Sequence, residues 1–143
     1  MKRLKVGVVG LGHLGKEHAR IYSHIKEVEL VALCDIDIER VKKLSSSYNT
    51  DWSSEYHNLI GRVDAVSIVV PTNGHYKIAK DFLKKGVAVL LEKPMTEKVS
   101  EAEDLIRLSE EKNLLQVGHV ERFNPAVREL KKRLKKNNGK RRR

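Results

Sequence analysis

Apolar residues along the chain are grouped in short continuous runs, and helical patterns separate most of these runs. A strand whose consecutive residues are all apolar is buried on both faces, which is typical of a parallel sheet covered by helices on two sides. Alternation of such strands with helices is the βαβ pattern, and it predicts an α/β fold. The predicted strands are Leu4–Val9, Leu30–Cys34, Ala65–Val70, Val87–Leu91 and Leu114–Val117.

Helical patterns fill the intervals, and capping residues mark several helix ends. Asp37 is the expected N-cap of the second helix, and Ser100 with Glu103 forms a capping box farther along the chain. Asn124 and Pro125 have the residue types of an N-cap and a first helical residue. The expected apolar stripes are Leu14, His18, Ile21, Tyr22 and Ile25; Ile78, Ala79, Phe82 and Leu83 before Gly86; Ala102, Leu105, Ile106 and Ser109; and Val127, Leu130 and Leu134.

The expected architecture is a doubly wound parallel sheet. Ligands of such sheets bind at the carboxyl ends of the strands, where the strand order reverses. At 143 residues the chain is long enough for one core of this kind. We expect an α/β domain over residues 1–123, a connecting helix over 124–136 and a disordered basic tail over 137–143.

The net charge of +10 changes this picture little, because much of it lies in one segment. Residues 131–143 contain nine Lys and Arg, and removing these from the 29 basic residues leaves 20 against 19 acidic ones. A short basic segment is usually solvated, so a nucleic-acid partner is disfavoured. No run approaches the roughly 20 apolar residues of a membrane span. The single cysteine, Cys34, rules out an internal disulfide, so we expect a cytoplasmic protein.

The sequence "GLGHLGKE" at residues 10–17 fits one nucleotide-binding motif and nearly fits another. A triphosphate loop, G-x-x-x-x-G-K-[ST], needs a hydroxyl after its lysine to ligate Mg²⁺, and this chain has Glu17 there. The dinucleotide motif G-x-G-x-x-G has no such defect. Gly10 permits its tight turn, Gly12 lets the backbone approach a pyrophosphate, and Gly15 allows close packing of helix on strand.

The dinucleotide motif also requires an acidic residue about 20 residues farther on, at the end of the second strand. Asp35 follows Gly15 by 20 residues. A carboxylate that accepts hydrogen bonds from both ribose hydroxyls would repel a 2′-phosphate, so NAD is favoured over NADP, although the nearby Arg40 weakens that preference. A glycine-rich turn that only packs a strand against a helix is the alternative interpretation.

Two later strands are also followed by polar residues. Thr72 with Asn73 and His75 would line a bound cofactor; alternatively, Asn73 caps the helix and His75 covers its first turn. Lys93 could hydrogen-bond a substrate hydroxyl as hydride leaves the carbon, with Glu92 fixing its direction. The alternative is a surface ion pair between these two residues.

The segment "GHVERFNP" at residues 118–125 places four kinds of functional side chain in one strand-to-helix connection. His119 and Arg122 are candidates to contact a nicotinamide or an anionic substrate. Alternatively, Phe123 fills the core and Glu121 pairs with Arg122. No metal site is visible in the sequence. Three histidines on expected helix surfaces are assigned no role: His18, His24 and His57.

These segments together resemble the motifs of one protein family. "GLGHLG" with Asp35, then "PTNGHY", "EKP" and "GHVERFNP", are similar in order and spacing to the Gfo/Idh/MocA family of NAD(P)-dependent oxidoreductases. The similarity runs from Lys5 to about Leu134, and "EKP" after a strand is its most specific element. Within the family, "VGHVERFNPAV" is most similar to members that act on nucleotide-linked amino sugars, such as UDP-N-acetylglucosamine 3-dehydrogenases.

The resemblance implies reversible hydride transfer between a sugar carbon and nicotinamide C4, with Lys93 as the catalytic residue. It implies these cofactor contacts: Gly10, Gly12, His13 and Leu14 with the pyrophosphate, Asp35 with the adenosine ribose, Thr72, Asn73 and His75 along the cofactor, Glu92 and Lys93 by the nicotinamide ribose and the reacting carbon, and Arg122 near the nicotinamide.

The resemblance implies that members of the family continue into a second α+β domain, which binds the sugar and pairs subunits, and we expect this domain to be absent here. We therefore expect residues 1–123 to be a dinucleotide-binding domain, specific for NAD(P) and of the Rossmann fold, that is incomplete as an enzyme alone and meets its sugar or sugar-nucleotide substrate only with a second domain. A non-catalytic nucleotide-sensing or scaffold module is the alternative. The apolar stripe of the last helix would lack its usual cover, which predicts a homo-oligomer or another partner.

Overall fold

The computed structural model describes residues 2–110 and 115–138, within which strands and helices alternate as predicted. The strands are β1 Leu4–Val9, β2 Val28–Cys34, β3 Asp51–Ser53, β4 Ala65–Ile68, β5 Ala88–Leu91 and β6 Leu115–Val117. The helices are α1 His13–His24, α2 Ile38–Tyr48, α3 Thr72–Lys84, α4 Val99–Glu110 and α5 Pro125–Asn138, with short 3₁₀ turns at Tyr56–Leu59 and Val120–Phe123.

The six strands are all parallel and form one sheet in the order β3-β2-β1-β4-β5-β6. This is the predicted doubly wound arrangement, and its order reverses between β1 and β4. The segments that leave these two strands are in contact, because the N–H of Val69 donates to the carbonyl of Val9 at 2.8 Å. The crevice of such a sheet therefore opens beside the glycine-rich segment after β1.

The core lies on both faces of the sheet because its central strands are apolar on both sides. Val8 and Val9 are adjacent in β1 and point to opposite faces. Val8 packs in a cluster with Leu33 of β2, and Val9 packs in a second cluster with Phe82 of α3 and Leu91 of β5. Full burial of each such side chain contributes about 1.5 to 3 kcal/mol, which keeps the strand ends in fixed positions.

β3 is the strand that the sequence analysis missed. It has only three residues, it pairs along the edge of β2, and both Asp51 and Trp52 are exposed. A short polar edge strand has no apolar run, so only its pairing defines it. Two predicted boundaries were also displaced by two residues, since β2 already begins at Val28 and β4 ends at Ile68. Leu114, which was predicted to begin the last strand, lies outside the described residues.

The apolar stripe predicted for α1 is only partly buried. Leu14 and Ile21 are about half exposed, whereas the small residues Gly15 and Ala19 are buried. Gly15 brings the helix so close to the loop after β1 that a Cβ atom there would lie 1.9 Å from the carbonyl oxygen of Gly10. The close approach of the two backbones therefore decides which face of α1 is buried.

The predicted helix caps had mixed outcomes. Asp37 accepts a hydrogen bond at 3.0 Å from the backbone three residues farther on, at the start of α2. Asn124 accepts one at 2.9 Å from the backbone two residues farther on, at the start of α5. The capping box was wrong, because α4 begins at Val99 and Ser100 lies inside its first turn. Gly86 follows α3 with a φ of 79°, as expected for a residue that ends a helix.

α5 continues to Asn138, two residues beyond the predicted connecting helix, and the rest of the predicted tail lies outside the described residues. The three apolar side chains of its stripe, Val127, Leu130 and Leu134, are all exposed. Self-association through this face stays a prediction. Among the described residues, no helix combines the length and the apolar character needed to cross a membrane.

Candidate functional site

The loop after β1 and the first turn of α1 have a shape that only glycine allows at two positions. Gly10 has a φ of 89°, and a Cβ atom on it would lie 2.5 Å from the carbonyl oxygen of Val69. At Gly15 the same construction gives the 1.9 Å contact with the loop backbone. At Gly12, by contrast, a Cβ atom would meet no protein atom within 4 Å. The space beside Gly12 is therefore open to a ligand.

The N-terminus of α1 faces the same open space. The first hydrogen bond of the helix runs from the N–H of Lys16 to the carbonyl of Gly12, at 3.1 Å. The N–H groups of His13, Leu14 and Gly15 precede this bond, so they point out of the helix end. Together with the helix dipole they favour an anionic group such as a diphosphate. The first-turn residues predicted to bind pyrophosphate therefore lie where backbone donors can reach it.

Asp35 ends β2 beside this loop and is only 7% exposed. Its Oδ2 accepts a 2.6 Å hydrogen bond from the N–H of Leu11, and its Oδ1 accepts one of 2.9 Å from the N–H of Asp37. Nη1 of Arg40 lies 3.3 Å from both oxygens. The carboxylate thus anchors the glycine-rich loop to the neighbouring strand, a role that the sequence analysis did not predict.

Arg40 is shared between two carboxylates rather than left to face a phosphate. Its Nη2 lies 2.9 Å from Oδ2 of Asp37, while Nη1 contacts Asp35. When all three groups are ionised, the cluster carries a net charge of −1. In the sequence analysis Arg40 weakened the preference for NAD over NADP. The structure answers this point, because the positive charge of Arg40 is already compensated by the two carboxylates.

A cleft of about 440 Å³ lies between the segments that follow β1, β2 and β4. Asp35 and Arg40 form its charged side, and the lining residues that the sequence analysis missed include Ile36 and Tyr56. Ile36 is 90% exposed, and Tyr56 donates a hydrogen bond to Asp81 at 2.7 Å. Burial, followed by this hydrogen bond, raises the pKa of Tyr56, so its hydroxyl stays protonated. The sequence contained one signal for Ile36: it is an apolar residue that directly follows Asp35, the acidic residue after β2.

The segment after β4 divides into exposed and buried residues. Thr72 is half-buried, and Asn73 is exposed and lines the cleft. The alternative in which Asn73 caps the helix was wrong, because α3 begins at Thr72 after Pro71 and no side chain caps it. His75 is only 1% exposed.

The ring of His75 lies beneath the crevice instead of lining it. Its Nδ1 is 2.8 Å from the carbonyl oxygen of Pro94, and its Nε2 is 2.9 Å from that of Val70. These two contacts give the side chain a structural role, and its expected contact with the cofactor stays a prediction. The histidine connects the start of α3 to the segment after β5.

Glu92 and Lys93 lie at the carboxyl end of β5. Glu92 is only 8% exposed, and its Oε2 accepts the N–H of Lys93 at 3.1 Å, while the Lys93 side chain is exposed. The peptide bond between Lys93 and Pro94 is cis. The alternative of a surface ion pair was wrong, because Glu92 is buried and, within residues 2–110 and 115–138, no ion pair joins these two side chains.

His18, which the sequence analysis left without a role, lies between α1 and the sheet. Its Nε2 is 3.4 Å from Oε1 of Glu92, and its Nδ1 is 3.1 Å from Oγ of Ser67. The earlier assignment to a helix surface was wrong. The sequence contained a signal for this position. His18 follows Gly15 by three residues, so it lies on the face of α1 that approaches the loop after β1.

The segment "GHVERFNP" is exposed apart from Gly118. Arg122 lies in the second 3₁₀ turn with its guanidinium 5.7 Å from the ring centre of Phe123. Phe123 is 55% exposed, so the alternative that it fills the core was wrong. Glu121 accepts a hydrogen bond from Asn124 at 2.9 Å, and among described residues it forms no ion pair with Arg122. The structure thus leaves Arg122 and His119 on the surface.

Cys34 packs in the sheet, as expected, and burial followed by the charge of Asp35 raises the pKa of its thiol to about 12. Within the part of the chain that the structure describes, no group of three or more His, Cys, Asp or Glu side chains is arranged to hold a metal ion.

Comparison with known proteins identifies relatives for most of the chain. Residues 4–119 match the Gfo/Idh/MocA profile, described as an oxidoreductase family with an NAD-binding Rossmann fold. UDP-N-acetylglucosamine 3-dehydrogenase of Acidithiobacillus ferrooxidans is 36% identical over 132 residues, which cover 92% of this chain and 42% of that protein. Inositol 2-dehydrogenase 4 of Saccharopolyspora erythraea is 34% identical over 143 residues, which cover 93% of this chain and 41% of that protein.

The solved structures agree with this comparison. A structure of the UDP-N-acetylglucosamine 3-dehydrogenase from Acidithiobacillus ferrooxidans superposes with a TM-score of 0.85 at 35% identity, and the match covers 92% of this chain and 44% of that one. The chain therefore spans less than half the length of the relatives that it matches.

Proposed function

The chain belongs to the Gfo/Idh/MocA family of oxidoreductases and is an NAD-binding Rossmann domain; from that premise we propose that it is the cofactor-binding part of a sugar or cyclic-polyol dehydrogenase. The observation that carries the proposal is the glycine-rich loop. Its backbone approaches too closely for any side chain at Gly10 and Gly15, yet it is open at Gly12, directly in front of a helix N-terminus. A diphosphate fits this cradle in size and in charge.

The pyrophosphate is assigned to the open side of Gly12, where the N–H groups of His13 and Leu14 donate to its oxygens. A helix N-terminus supplies several backbone donors together with a partial positive charge. Because His13 and Leu14 act through their backbones, their exposed side chains are free to vary. The close contact at Gly15 keeps the helix end near the loop and so fixes the depth of the cradle.

The adenosine half is assigned to the cleft of about 440 Å³. The exposed side chain of Ile36 offers an apolar surface to the flat face of adenine. Three donors already reach Asp35, and a carboxylate has about four acceptor positions, so capacity for a ribose hydroxyl remains. The net negative charge of Asp35, Asp37 and Arg40 disfavours a 2′-phosphate and supports NAD over NADP.

The nicotinamide end is assigned to the carboxyl ends of β4, β5 and β6. When bound, the nicotinamide ring supplies the carbon that accepts or returns the hydride. We assign to the exposed side chain of Lys93 a hydrogen bond with the substrate hydroxyl, which would stabilise negative charge developing on that oxygen. Glu92 holds the backbone of Lys93 through the 3.1 Å hydrogen bond. We assign Thr72 and Arg122 to this end of the cofactor as well, and Asn73, which lines the cleft, to the adenosine side.

The substrate class follows from chemistry that two relatives share. One relative is named for UDP-N-acetylglucosamine and another for inositol, and both compounds contain a six-membered ring that carries secondary alcohols. We assign to this chain a substrate of the same kind, a ring with a secondary hydroxyl. Hydride transfer from such a carbon requires one basic or hydrogen-bonding group at the hydroxyl, and Lys93 is the candidate.

Titration of the purified chain with NADH and with NADPH tests the proposal, using nucleotide fluorescence and calorimetry. NADH is expected to bind at submillimolar concentration, and NADPH at least about tenfold more weakly, a difference of about 1.4 kcal/mol. Ile36→Arg should narrow that difference, because it places a cation at the expected 2′ position while altering a fully solvated side chain.

Ile38→Arg is the matched control, since Ile38 is also exposed but does not line the cleft. It should leave the ratio of the two affinities unchanged. Absence of NADH binding by the unsubstituted chain would refute the proposed function. Equal affinity for NADH and NADPH would refute only the preference for NAD.

A further inference from the structure

A chain of four hydrogen-bonding side chains crosses the interface between α1 and the sheet. Oη of Tyr22 lies 2.7 Å from Oγ of Ser67, which lies 3.1 Å from Nδ1 of His18. Nε2 of His18 lies 3.4 Å from Oε1 of Glu92. Ser67 and Glu92 are buried, and His18 and Tyr22 are partly buried. The proposed function gives a role only to the last member of this chain, Glu92.

The number of protons in the chain fixes the direction of its hydrogen bonds. An ionised Glu92 is only an acceptor, so a proton on the Nε2 of His18, 3.4 Å from Oε1, makes this contact favourable. In a neutral imidazole Nδ1 is then an acceptor, and it takes the hydroxyl proton of Ser67. The Ser67 oxygen in turn accepts the hydroxyl proton of Tyr22. Each group donates towards Glu92, and one tautomer of His18 satisfies the whole chain.

The carboxylate of Glu92 is confined on its other sides as well. Its Oε2 accepts the backbone N–H of Lys93 at 3.1 Å. Gly118, after β6, approaches so closely that a Cβ atom there would lie 2.8 Å from Oε1. His18 of α1 contacts Oε1 from a further side, so it acts together with these two neighbours on the direction of Glu92 beside the backbone of Lys93.

We propose that His18 is a positioning residue: its Nε2–H holds Glu92 so that the strand end with Lys93 keeps a fixed place relative to the helix that binds pyrophosphate. This inference rests on the proposed function. His18 follows His13 by five residues, about 7.5 Å along the helix axis. One rigid helix thus carries both the pyrophosphate donors and the residue that orients the nicotinamide side of the site.

Comparison of two ligands separates this role from a general effect on folding. ADP shares the adenosine and diphosphate of NADH but lacks the nicotinamide ribose and the nicotinamide. His18→Phe should weaken NADH binding about tenfold and leave ADP binding within about twofold, because it removes the donor to Glu92 while α1 keeps its N-terminus. His18→Gln, which retains an N–H near the Nε2 position, should recover most of the NADH affinity.

His24→Phe is the matched control, because His24 lies at the other end of α1 and is exposed, and its hydrogen bonds within the described part of the chain are with Arg20 and Ser23 of its own helix. It should change neither affinity. Equal losses for NADH and ADP in His18→Phe would overturn the proposal, and so would unchanged binding of both ligands. Failure of the unsubstituted chain to bind NADH would refute the proposed function and this inference with it.

The tautomer of His18 provides a second readout that does not depend on binding. Long-range ¹H–¹⁵N spectra of the neutral imidazole of His18 should show a proton on Nε2 and none on Nδ1. Ser67→Ala removes the donor to Nδ1, and this conservative change should shift the ring towards a mixture of tautomers. Protonation of Nδ1 alone in the unsubstituted chain would contradict the assigned direction and overturn the proposal.

Discussion

Gly15→Ala places one methyl group where two backbones meet, and its consequence can be calculated from the structure. The added Cβ atom would lie 1.9 Å from the carbonyl oxygen of Gly10, whereas real Cβ atoms essentially never show contacts below 3.0 Å. The helix and the loop must therefore separate by at least 1.1 Å along that line. No side-chain rotation can relieve the contact, because the opposing atom belongs to the backbone.

The separation should affect ligand affinity more than stability. Overpacking costs about 1 to 3 kcal/mol, and alanine returns about 1 kcal/mol through its helix propensity. The net loss of unfolding free energy should therefore be at most about 2 kcal/mol. A shift of this size breaks at least one charged hydrogen bond in the pyrophosphate cradle, worth about 1.5 to 3 kcal/mol. NADH affinity should fall about ten- to a hundredfold.

Urea unfolding and NADH titration of the same samples measure the two effects, and Gly61→Ala is the control. Gly61 has a φ of 81°, and a Cβ atom there would meet nothing within 4 Å, so its substitution costs about 1 to 2 kcal/mol by backbone strain alone. Gly61 does not line the cleft, and NADH affinity should stay unchanged. The reasoning is refuted if Gly15→Ala binds NADH within twofold of the unsubstituted chain, or if Gly61→Ala loses as much affinity.

Two further predictions follow from perturbed titratable groups. Burial raises the pKa of the Cys34 thiol to about 12, so iodoacetamide near pH 8 should label this residue only after denaturation; rapid labelling of the folded chain would contradict this. Hydrogen bonds from Lys80, and then Tyr76, lower the pKa of Asp104 to about 2. The contribution of Asp104 to stability is therefore complete above the ordinary pKa of an aspartate, near 4, and is lost as the pH falls towards 2. Urea unfolding should show Asp104→Asn as less stable at neutral pH, with the deficit shrinking below pH 4; a deficit independent of pH would contradict the linkage.

The sequence by itself determined the fold and the part of the site that is built from backbone. Continuous apolar runs separated by helical patterns identify the parallel strands, because burial on both faces leaves no polar position in a strand. The glycine spacing and the 20-residue interval to Asp35 predict the cradle, because each glycine is required by the local backbone conformation or by a close backbone approach. These features depend on near neighbours in the chain, and near neighbours are visible in a sequence.

Only the tertiary structure decided which polar side chains meet beneath the crevice. His18 and Ser67 are 49 positions apart, and the atoms that bind His75 include the carbonyl oxygen of Pro94, 19 positions away. No periodic pattern links such residues, because a sheet order that reverses in its middle brings together segments at unrelated intervals. Helix packing against the sheet, which depends on every element at once, sets these contacts.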